Sequence, residues 1–237
     1  MPPSELLWRV TGSHDPKHFV DSGRRSVADM QAALASIGRR FEDYPRLLDW
    51  GCGCGRVLLW LEDLVAGAEV IGTDIDGEAI KWAQEHIPWA QLMTNPPTPP
   101  LDLPDASIDL VFNHSVLSHL DETMQDLWLA ELRRVTRPGG HVLLSIVGEG
   151  PFDESVPGWE AIGWDVGRIR ADWADPGFVF IKDDMWVGGP FPDFYHSAFH
   201  APWYVFRHWT KFFNVRAYFV RGALGYMDFV LLERPAE

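Results

Sequence analysis

Short apolar runs alternate with longer amphipathic segments through residues 22–148. Each apolar run has the length of a buried strand, and each longer segment spaces its apolar residues three or four positions apart, as one face of a helix requires. Regular alternation of strand and helix indicates parallel strands joined by helical crossovers. Asp121 is the expected N-cap of the last helix. The predicted strands are residues 46–50, 68–75, 90–95, 107–114 and 141–148, and the predicted helices are residues 22–41, 56–65, 77–87 and 121–136.

The alternation ends after Gly148. The next fifty residues show no sustained periodicity, although the stretch from Phe152 to Trp209 holds about half of the aromatic residues of the chain. Such a long irregular segment predicts a lid over the ligand end of the sheet, a local excursion with its own aromatic core, or both. A helix is predicted at residues 202–213. Two strands, residues 214–222 and 226–234, then form an antiparallel hairpin because only a short turn separates them.

Length and charge restrict the class of protein. A chain of 237 residues is expected to form one domain. The formal net charge of −14 argues against a nucleic-acid partner, because such proteins need a basic surface. No signal-peptide pattern begins the sequence and no apolar run reaches membrane-spanning length, so we expect a cytoplasmic protein without a membrane partner. The predicted divisions are an N-terminal helical cap (1–45), a ligand-binding core (46–148), the aromatic insertion (149–205) and the last helix end with the hairpin (206–237).

Glycines occupy alternate positions directly after the first predicted strand, in LLDWGCGCGR at residues 47–56. Ligands of alternating sheets bind at the strand carboxyl ends, and glycines let them approach the backbone. The nicotinamide fingerprint is G-x-G-x-x-G, whereas here the spacing is G-x-G-x-G and Asp49 would repel a pyrophosphate. A carboxylate there suits an ammonium or a sulfonium. Asp74 ends the second strand, where it is placed to accept hydrogen bonds from both hydroxyls of a ribose.

Cys52 and Cys54 lie between these glycines and are the only cysteines of the chain. Alternate positions in a tight loop do not allow an ordinary disulfide, and a zinc site needs about four ligands. We therefore expect the two thiols to fill a crowded turn and to bind no metal.

The glycine loop and VIGTDID, with residues 101–120 (LDLPDASIDLVFNHSVLSHL) and 131–145 (ELRRVTRPGGHVLLS), resemble the successive motifs of class I S-adenosylmethionine-dependent methyltransferases. The likeness is greatest to small bacterial members that carry GCGCGR. It implies an α/β fold, a Rossmann-like three-layer αβα sandwich whose seven-stranded sheet is mostly parallel, with an antiparallel last strand between the fifth and sixth. It also implies S-adenosylmethionine as cofactor and S-adenosylhomocysteine as product. The implied cofactor-binding residues are Asp49, Gly51, Cys52, Gly53, Gly55, Asp74, Ile75, Asn95 and Asn113.

Methyl transfer from a sulfonium requires mainly that the nucleophile be aligned, although an oxygen or nitrogen nucleophile also needs a base. We expect a partly apolar or ring-shaped small-molecule acceptor between residues 113–114 and the segment 159–200. Two other functions remain open: an S-adenosylmethionine-binding partner protein without transfer activity, and a nicotinamide-dependent oxidoreductase. The candidate bases are His114, His196, His200 and Tyr195.

Overall fold

A computed structural model describes residues 1–182 and 191–236, so residues 183–190 of the predicted aromatic insertion lie outside the described part of the chain. The strands are β1 (Arg46–Trp50), β2 (Glu69–Asp74), β3 (Gln91–Thr94), β4 (Ile108–Phe112), β5 (Thr136–Ile146), β6 (Phe178–Ile181), β7 (Ser197–His200), β8 (Asn214–Ala223) and β9 (Met227–Glu233). The α-helices are α1 (Ser4–Thr11), α2 (Pro16–Ala35), α3 (Gly77–His86), α4 (Glu122–Val135), α5 (Glu149–Ala161), α6 (Val166–Ala174) and α7 (Pro202–His208).

Seven strands form one sheet in the order β3-β2-β1-β4-β5-β9-β8. Strands β1 to β5 are parallel, while β9 is antiparallel to both β5 and β8. The predicted hairpin is therefore confirmed, and its second strand lies between the fifth and sixth strands of this sheet. Strands β6 and β7 pair separately as a small antiparallel sheet.

Both faces of the large sheet are covered, because successive residues of a strand point to opposite sides. Leu48 of β1 packs in the core that includes Leu129 of α4. Its neighbour Leu47 packs on the other face, with Met30 of α2 and Ile80 of α3. The predicted three-layer αβα sandwich is confirmed.

The start of α4 follows the sequence prediction. The Asp121 carboxylate accepts a hydrogen bond from the backbone N–H of Met124 at 2.8 Å, as an N-cap should. Helix α2 differs, since it begins at Pro16, behind the Asp15 cap, and ends at Ala35.

The helix predicted at residues 56–65 is wrong. Two short 3₁₀ turns, Leu58–Trp60 and Glu62–Leu64, occupy this stretch instead. The buried side chains Leu58 and Leu61 are three positions apart, and side chains at that spacing align in a 3₁₀ turn as well as in an α-helix.

The aromatic insertion is more regular than its sequence indicates. It contains α5, α6, β6 and β7, and Phe152, Trp173 and Phe178 belong to the main core on the α4 side of the sheet. Much of the segment is thus packed protein rather than a mobile cover. Within residues 1–182 and 191–236, no helix is both long and apolar enough to cross a membrane.

Candidate functional site

The strand order reverses between β1 and β4, which is where sheets of this kind bind ligands. A cavity of about 1170 Å³ lies at the carboxyl ends of these strands. Its volume exceeds the range of about 300–1,000 Å³ that is usual for one small ligand. The cavity therefore has room for two ligands side by side.

The glycine loop forms one end of the cavity. The N–H groups of Gly51 and Cys52 both donate to the carbonyl of Thr73, at 2.7 and 3.0 Å, so the loop folds back onto the end of β2. Gly51 has a φ of 81°, and a Cβ at this position would overlap the side chain of Val116. The first glycine is thus required both by conformation and by space.

Helix α1 covers the same loop from outside the sheet. A Cβ at Gly53 would lie 2.6 Å from Cγ2 of Val10, and Leu6 accepts a weak hydrogen bond from the Cys54 thiol at 3.9 Å. Gly55 does not reach the cavity among the described lining residues; it turns the chain at a φ of 80° against Ile87. The N-terminal helix is therefore part of the binding site.

Asp74 connects the glycine loop to the following turn. Its Oδ2 accepts the N–H of Gly53 at 2.7 Å and its Oδ1 accepts the N–H of Asp76 at 2.8 Å. Burial raises the pKa of Asp74, while these two backbone donors act to lower it. Each oxygen has one lone pair left, and the side chain lines the cavity beside Ile75, which is 38% exposed.

Asp49 lies deeper, at the end of β1. It is buried, and its Oδ2 has no hydrogen-bond partner in the part of the chain that the structure describes. Burial raises the pKa of Asp49 to about 8, and the charge of Asp74 adds to this, while Arg56 opposes it. The Oδ1 atom of Asn95 is a second buried acceptor without a partner among residues 1–182 and 191–236. Both residues line the cavity, which therefore has hydrogen-bond acceptors for a ligand with donor groups.

Asn113 is separated from the cavity, in contrast to its predicted role. Its Oδ1 accepts the N–H of Ser145 at 2.9 Å, and its own N–H donates to Leu143 at 3.1 Å. The side chain is fully buried between the ends of β4 and β5 and is not among the described cavity-lining residues. Asn113 therefore links the two strands, and the next residue, His114, lines the cavity instead.

His114 is one of the predicted bases, and it lines the cavity. Its Nδ1 lies 3.4 Å from the Ser26 hydroxyl, and its Nε2 is buried with no partner among the described residues. Burial, followed by the charge of Arg56, holds the pKa of His114 well below its usual value. The ring is therefore neutral at physiological pH, so one of its two nitrogens carries a proton and the other an acceptor lone pair.

Tyr195 lines the cavity within a stack of aromatic rings. Its ring lies 3.8 Å from that of His119 and 4.4 Å from that of Phe191, measured between centroids. Phe191 in turn lies 5.7 Å from Trp8 of α1. The insertion and the N-terminal helix therefore meet over the cavity, and aromatic residues between positions 191 and 199 form a wall of it.

The described residues that line the cavity include neither His196 nor His200. The carbonyl of His196 accepts from His119 at 3.0 Å, which orients that ring. His200 is fully buried, its Nε2 lies 2.8 Å from Oε1 of Gln125, and burial lowers its pKa to about 3. We do not retain either histidine as a candidate base, because neither side chain lines the cavity.

Cys52 and Cys54 are both buried and carry free thiols. Burial raises the pKa of both, that of Cys54 to about 12, so they remain protonated. Within the described ranges, no three His, Cys, Asp or Glu side chains come together as a metal site.

Comparison with known proteins places this geometry in a family. Residues 48–144, which hold the glycine loop, Asp74 and strands β1 to β4, match the family described as methyltransferase domain. These residues form a class I S-adenosylmethionine-dependent methyltransferase domain. The part outside residues 48–144 holds the aromatic wall and both N-terminal helices.

Curated relatives of this methyltransferase-family chain match it in part. An uncharacterised methyltransferase of Schizosaccharomyces pombe is 33% identical over 107 residues, which are 41% of this chain and 38% of the relative. The malonyl-[acyl-carrier protein] O-methyltransferase of Yersinia pestis is 32% identical over 143 residues, 60% of this chain and 51% of the relative. An rRNA N(6)-adenosine-methyltransferase of Caenorhabditis elegans is 27% identical over 157 residues, 60% of this chain and 72% of the relative. The chain thus spans about half or less of the first two.

Solved structures agree on the fold over nearly the whole chain. A protein of Pyrococcus horikoshii superposes with a TM-score of 0.61 at 19% identity, covering 89% of this chain and 90% of the other. A methyltransferase of Methanosarcina mazei gives 0.54 at 20% identity, with 81% and 93% covered.

S-Adenosylmethionine, the cofactor of this family, fits the residues present. The unpaired Oδ2 of Asp49 suits the ammonium group at the methionine end, and the unpaired Oδ1 of Asn95 suits the amino group of the adenine. The space above Gly51 and Gly53, which lack a Cβ, lets the ligand lie against the backbone. A pyrophosphate would meet the carboxyl group of Asp49, so the nicotinamide alternative is not supported.

Several cavity residues were missed by the sequence analysis, including Trp8, Arg56 and Tyr226. Arg56 directly follows the glycine loop, which is a signal that the reasoning could have used. Trp8 and Tyr226 lie far from any motif, and only the fold brings them to the cavity. His119 also lies in the cavity wall, where its ring stacks on that of Tyr195.

Proposed function

We propose that this protein transfers the methyl group of S-adenosylmethionine to an oxygen or nitrogen atom of a small-molecule acceptor. One observation carries the proposal: a single cavity joins the glycine loop and its unpaired acceptors to a wall of stacked aromatic rings. The cofactor supplies a methyl group on a good leaving group, so the protein needs chiefly to align the nucleophile and to exclude water.

In this proposal the two ends of the cavity have separate tasks. Asp49 holds the ammonium of the cofactor, Asp74 the ribose hydroxyls, and Asn95 the adenine amine, with Ile75 against the adenine face. The stacked rings at the other end hold the acceptor. His114 is the proposed proton acceptor, because its Nε2 is buried in the cavity without a partner among the described residues.

The choice of a small acceptor rests on charge and on the form of the site. The net charge of −14 disfavours a polyanion, and an enclosed aromatic wall suits a partly apolar molecule. Relatives named as malonyl-[acyl-carrier protein] O-methyltransferase and trans-aconitate 2-methyltransferase are consistent with it. The relative named for rRNA makes RNA the alternative to test.

The test is transfer of labelled methyl groups. The protein is incubated with methyl-tritiated S-adenosylmethionine and, in parallel, with a small-metabolite extract, an acyl-carrier-protein fraction and total RNA. We expect label in low-mass products, together with S-adenosylhomocysteine, and a loss of label with Asp74→Ala but not with the matched surface variant Asp102→Ala. Label in RNA alone would make the acceptor class wrong. S-Adenosylhomocysteine binding without turnover on any fraction would favour the non-catalytic partner protein.

A further inference from the structure

Arg56 is a cation buried in the cavity wall. It follows the glycine loop and is only 6% exposed. Across residues 1–182 and 191–236, its guanidinium makes no hydrogen bond or ion pair. Leaving a buried charge unpaired is costly, so such a group in a cavity indicates a ligand of opposite charge.

The carboxyl groups of the described residues do not neutralise this charge. Among the described carboxyl groups, Asp49 is the one whose charge acts on Arg56. Its pKa of about 8 leaves it mostly protonated at pH 7. Arg9, which also lines the cavity, is by contrast paired through its Nη1 with Asp76 at 3.0 Å and with Glu78 at 2.7 Å. The two arginines therefore differ: Arg9 fastens α1 to α3, whereas Arg56 has a free fork of donors.

The surroundings of Arg56 select the kind of anion. Arg56, Tyr226 and His114 all line the cavity. Burial raises the pKa of Tyr226 against the opposing charge of Arg56, and burial together with that charge lowers the pKa of His114. A phosphate dianion would carry more negative charge than one guanidinium balances. A carboxylate carries one charge and matches the planar guanidinium with two parallel hydrogen bonds.

We propose that Arg56 binds a carboxylate inside this cavity. The carboxylate belongs either to the methionine end of the cofactor or to the acceptor, and the chemistry at Arg56 is the same for both. In the second case the substrate class narrows to small organic acids. Both sources of the carboxylate are taken from the proposed function, on which this proposal rests. Binding of an acid can still be measured independently of methyl transfer.

The first experiment separates the cofactor's carboxylate from the rest of the cofactor. Calorimetry compares S-adenosylhomocysteine with 5′-methylthioadenosine, which lacks the amino-acid group, on wild type, Arg56→Gln, Arg56→Lys and the matched surface variant Arg170→Gln. If the cofactor supplies the carboxylate, Arg56→Gln weakens S-adenosylhomocysteine by about 10- to 100-fold and leaves 5′-methylthioadenosine within about twofold. Arg56→Lys keeps the charge but lacks the planar pair of donors, so we expect an intermediate loss of S-adenosylhomocysteine affinity. This variant also provides the measurement if Arg56→Gln does not fold.

The second experiment tests the acceptor as the source. A panel of small aromatic and aliphatic acids, each paired with its neutral amide, is titrated with and without S-adenosylhomocysteine. If the acceptor supplies the carboxylate, wild type prefers acid to amide by about tenfold or more, and Arg56→Gln abolishes that preference while S-adenosylhomocysteine affinity is unchanged. The proposal is wrong if Arg56→Gln changes neither the preference for S-adenosylhomocysteine over 5′-methylthioadenosine nor the preference for acid over amide. Failure of wild type to bind S-adenosylhomocysteine would instead overturn the proposed function, and the acid–amide comparison would still decide the role of Arg56.

Discussion

The two ends of the cavity are built in different ways. The end at the glycine loop comes from two neighbouring strand ends, residues 49–53 and 74–76, joined by backbone hydrogen bonds such as that from Gly53 to Asp74. The opposite end takes side chains from α1, from residues 114–119, from residues 191–199 and from the hairpin turn. A site made from one local motif tolerates little change, whereas a wall assembled from distant segments can change its shape while the motif stays the same. The first end thus suits a fixed cofactor, and the second suits a variable acceptor.

Gly51→Ala is the strongest way to break the glycine-loop end. A positive φ strains a residue with a side chain, and the added Cβ overlaps Val116, so we expect a loss of about 3 kcal/mol in the free energy of unfolding. Urea unfolding measures the loss, and S-adenosylhomocysteine affinity should fall with it. Gly38→Ala is the matched control, because Gly38 has a φ of 70° with open space around it. Equal losses in both variants would show that the packing against Val116 is unimportant.

Asp74→Ala removes the carboxylate that connects the loop to the ribose position. Hydrogen bonds to a charged group contribute about 1.5–3 kcal/mol, so we expect S-adenosylhomocysteine to bind about 2 kcal/mol more weakly. Calorimetry on the folded variant measures this, with Asp102→Ala as the exposed control. Unchanged affinity would contradict the assignment of Asp74 to the cofactor.

Asp49 gives the glycine-loop end a pH dependence near neutral pH. With a pKa of about 8, the free protein keeps a proton on Asp49 at pH 7. A neighbouring ammonium favours the ionised form, so cofactor binding should release about one proton, and affinity should rise about tenfold, or about 1.4 kcal/mol, per pH unit until about pH 8. Calorimetry in buffers with different ionisation enthalpies counts the proton.

The same pKa affects the stability of the free protein. Because the native state keeps a proton that the unfolded chain releases at about pH 4, the Asp49 contribution to the free energy of unfolding is greatest at acid pH and is lost as the pH rises through about 8. Asp49→Asn should remove both the proton release and this slope. A wild type that binds cofactor without releasing a proton would show that Asp49 does not meet the ammonium.

Tyr195→Ala tests the acceptor end alone. Loss of one stacked ring between His119 and Phe191 should cost about 1 kcal/mol, or about fivefold in kcat/KM for the acceptor. S-Adenosylhomocysteine affinity should stay within about twofold. Phe206→Ala, on the exposed face of α7, is the control. An equal loss of cofactor affinity would show that the two ends are not separate. Removal of the whole insertion would not test the acceptor end alone, because its helices form part of the main core.

The cysteines should give the smallest effect. Cys52→Ala with Cys54→Ala removes two buried thiols, neither of which is ionised, so cofactor affinity should change by less than about 0.5 kcal/mol. Zinc analysis should find no more metal in wild type than in the double variant. Stoichiometric zinc that disappears with the cysteines, together with activity, would contradict this prediction.

The sequence predicts the glycine-loop end well because spacing alone determines it. Asp49, Gly51 and Asp74 are fixed to strand ends by the period of the pattern, and the sheet brings strand ends together. Burial of Arg56 cannot be predicted this way, since an arginine after a glycine loop looks the same whether it is solvated or enclosed. For the opposite reason, the choice of His200 as a candidate base is not retained. Its neighbours in the sequence resemble a site, but β7 turns its side chain toward Gln125 and into the core.

The position of strand β9 in the sheet affects how the protein folds during its synthesis. It pairs with β5 along His141–Ile146 and with β8 on its other side, yet it follows both of them in the chain. A ribosome therefore exports β1 to β5 and β8 before the strand that belongs between them. Until residues 227–233 emerge, β5 keeps an open hydrogen-bonding edge beside apolar side chains, the kind of edge that recruits other nascent chains. The sheet can close only once this strand has been made, so chaperone protection matters most during the synthesis of the segment between β5 and β9.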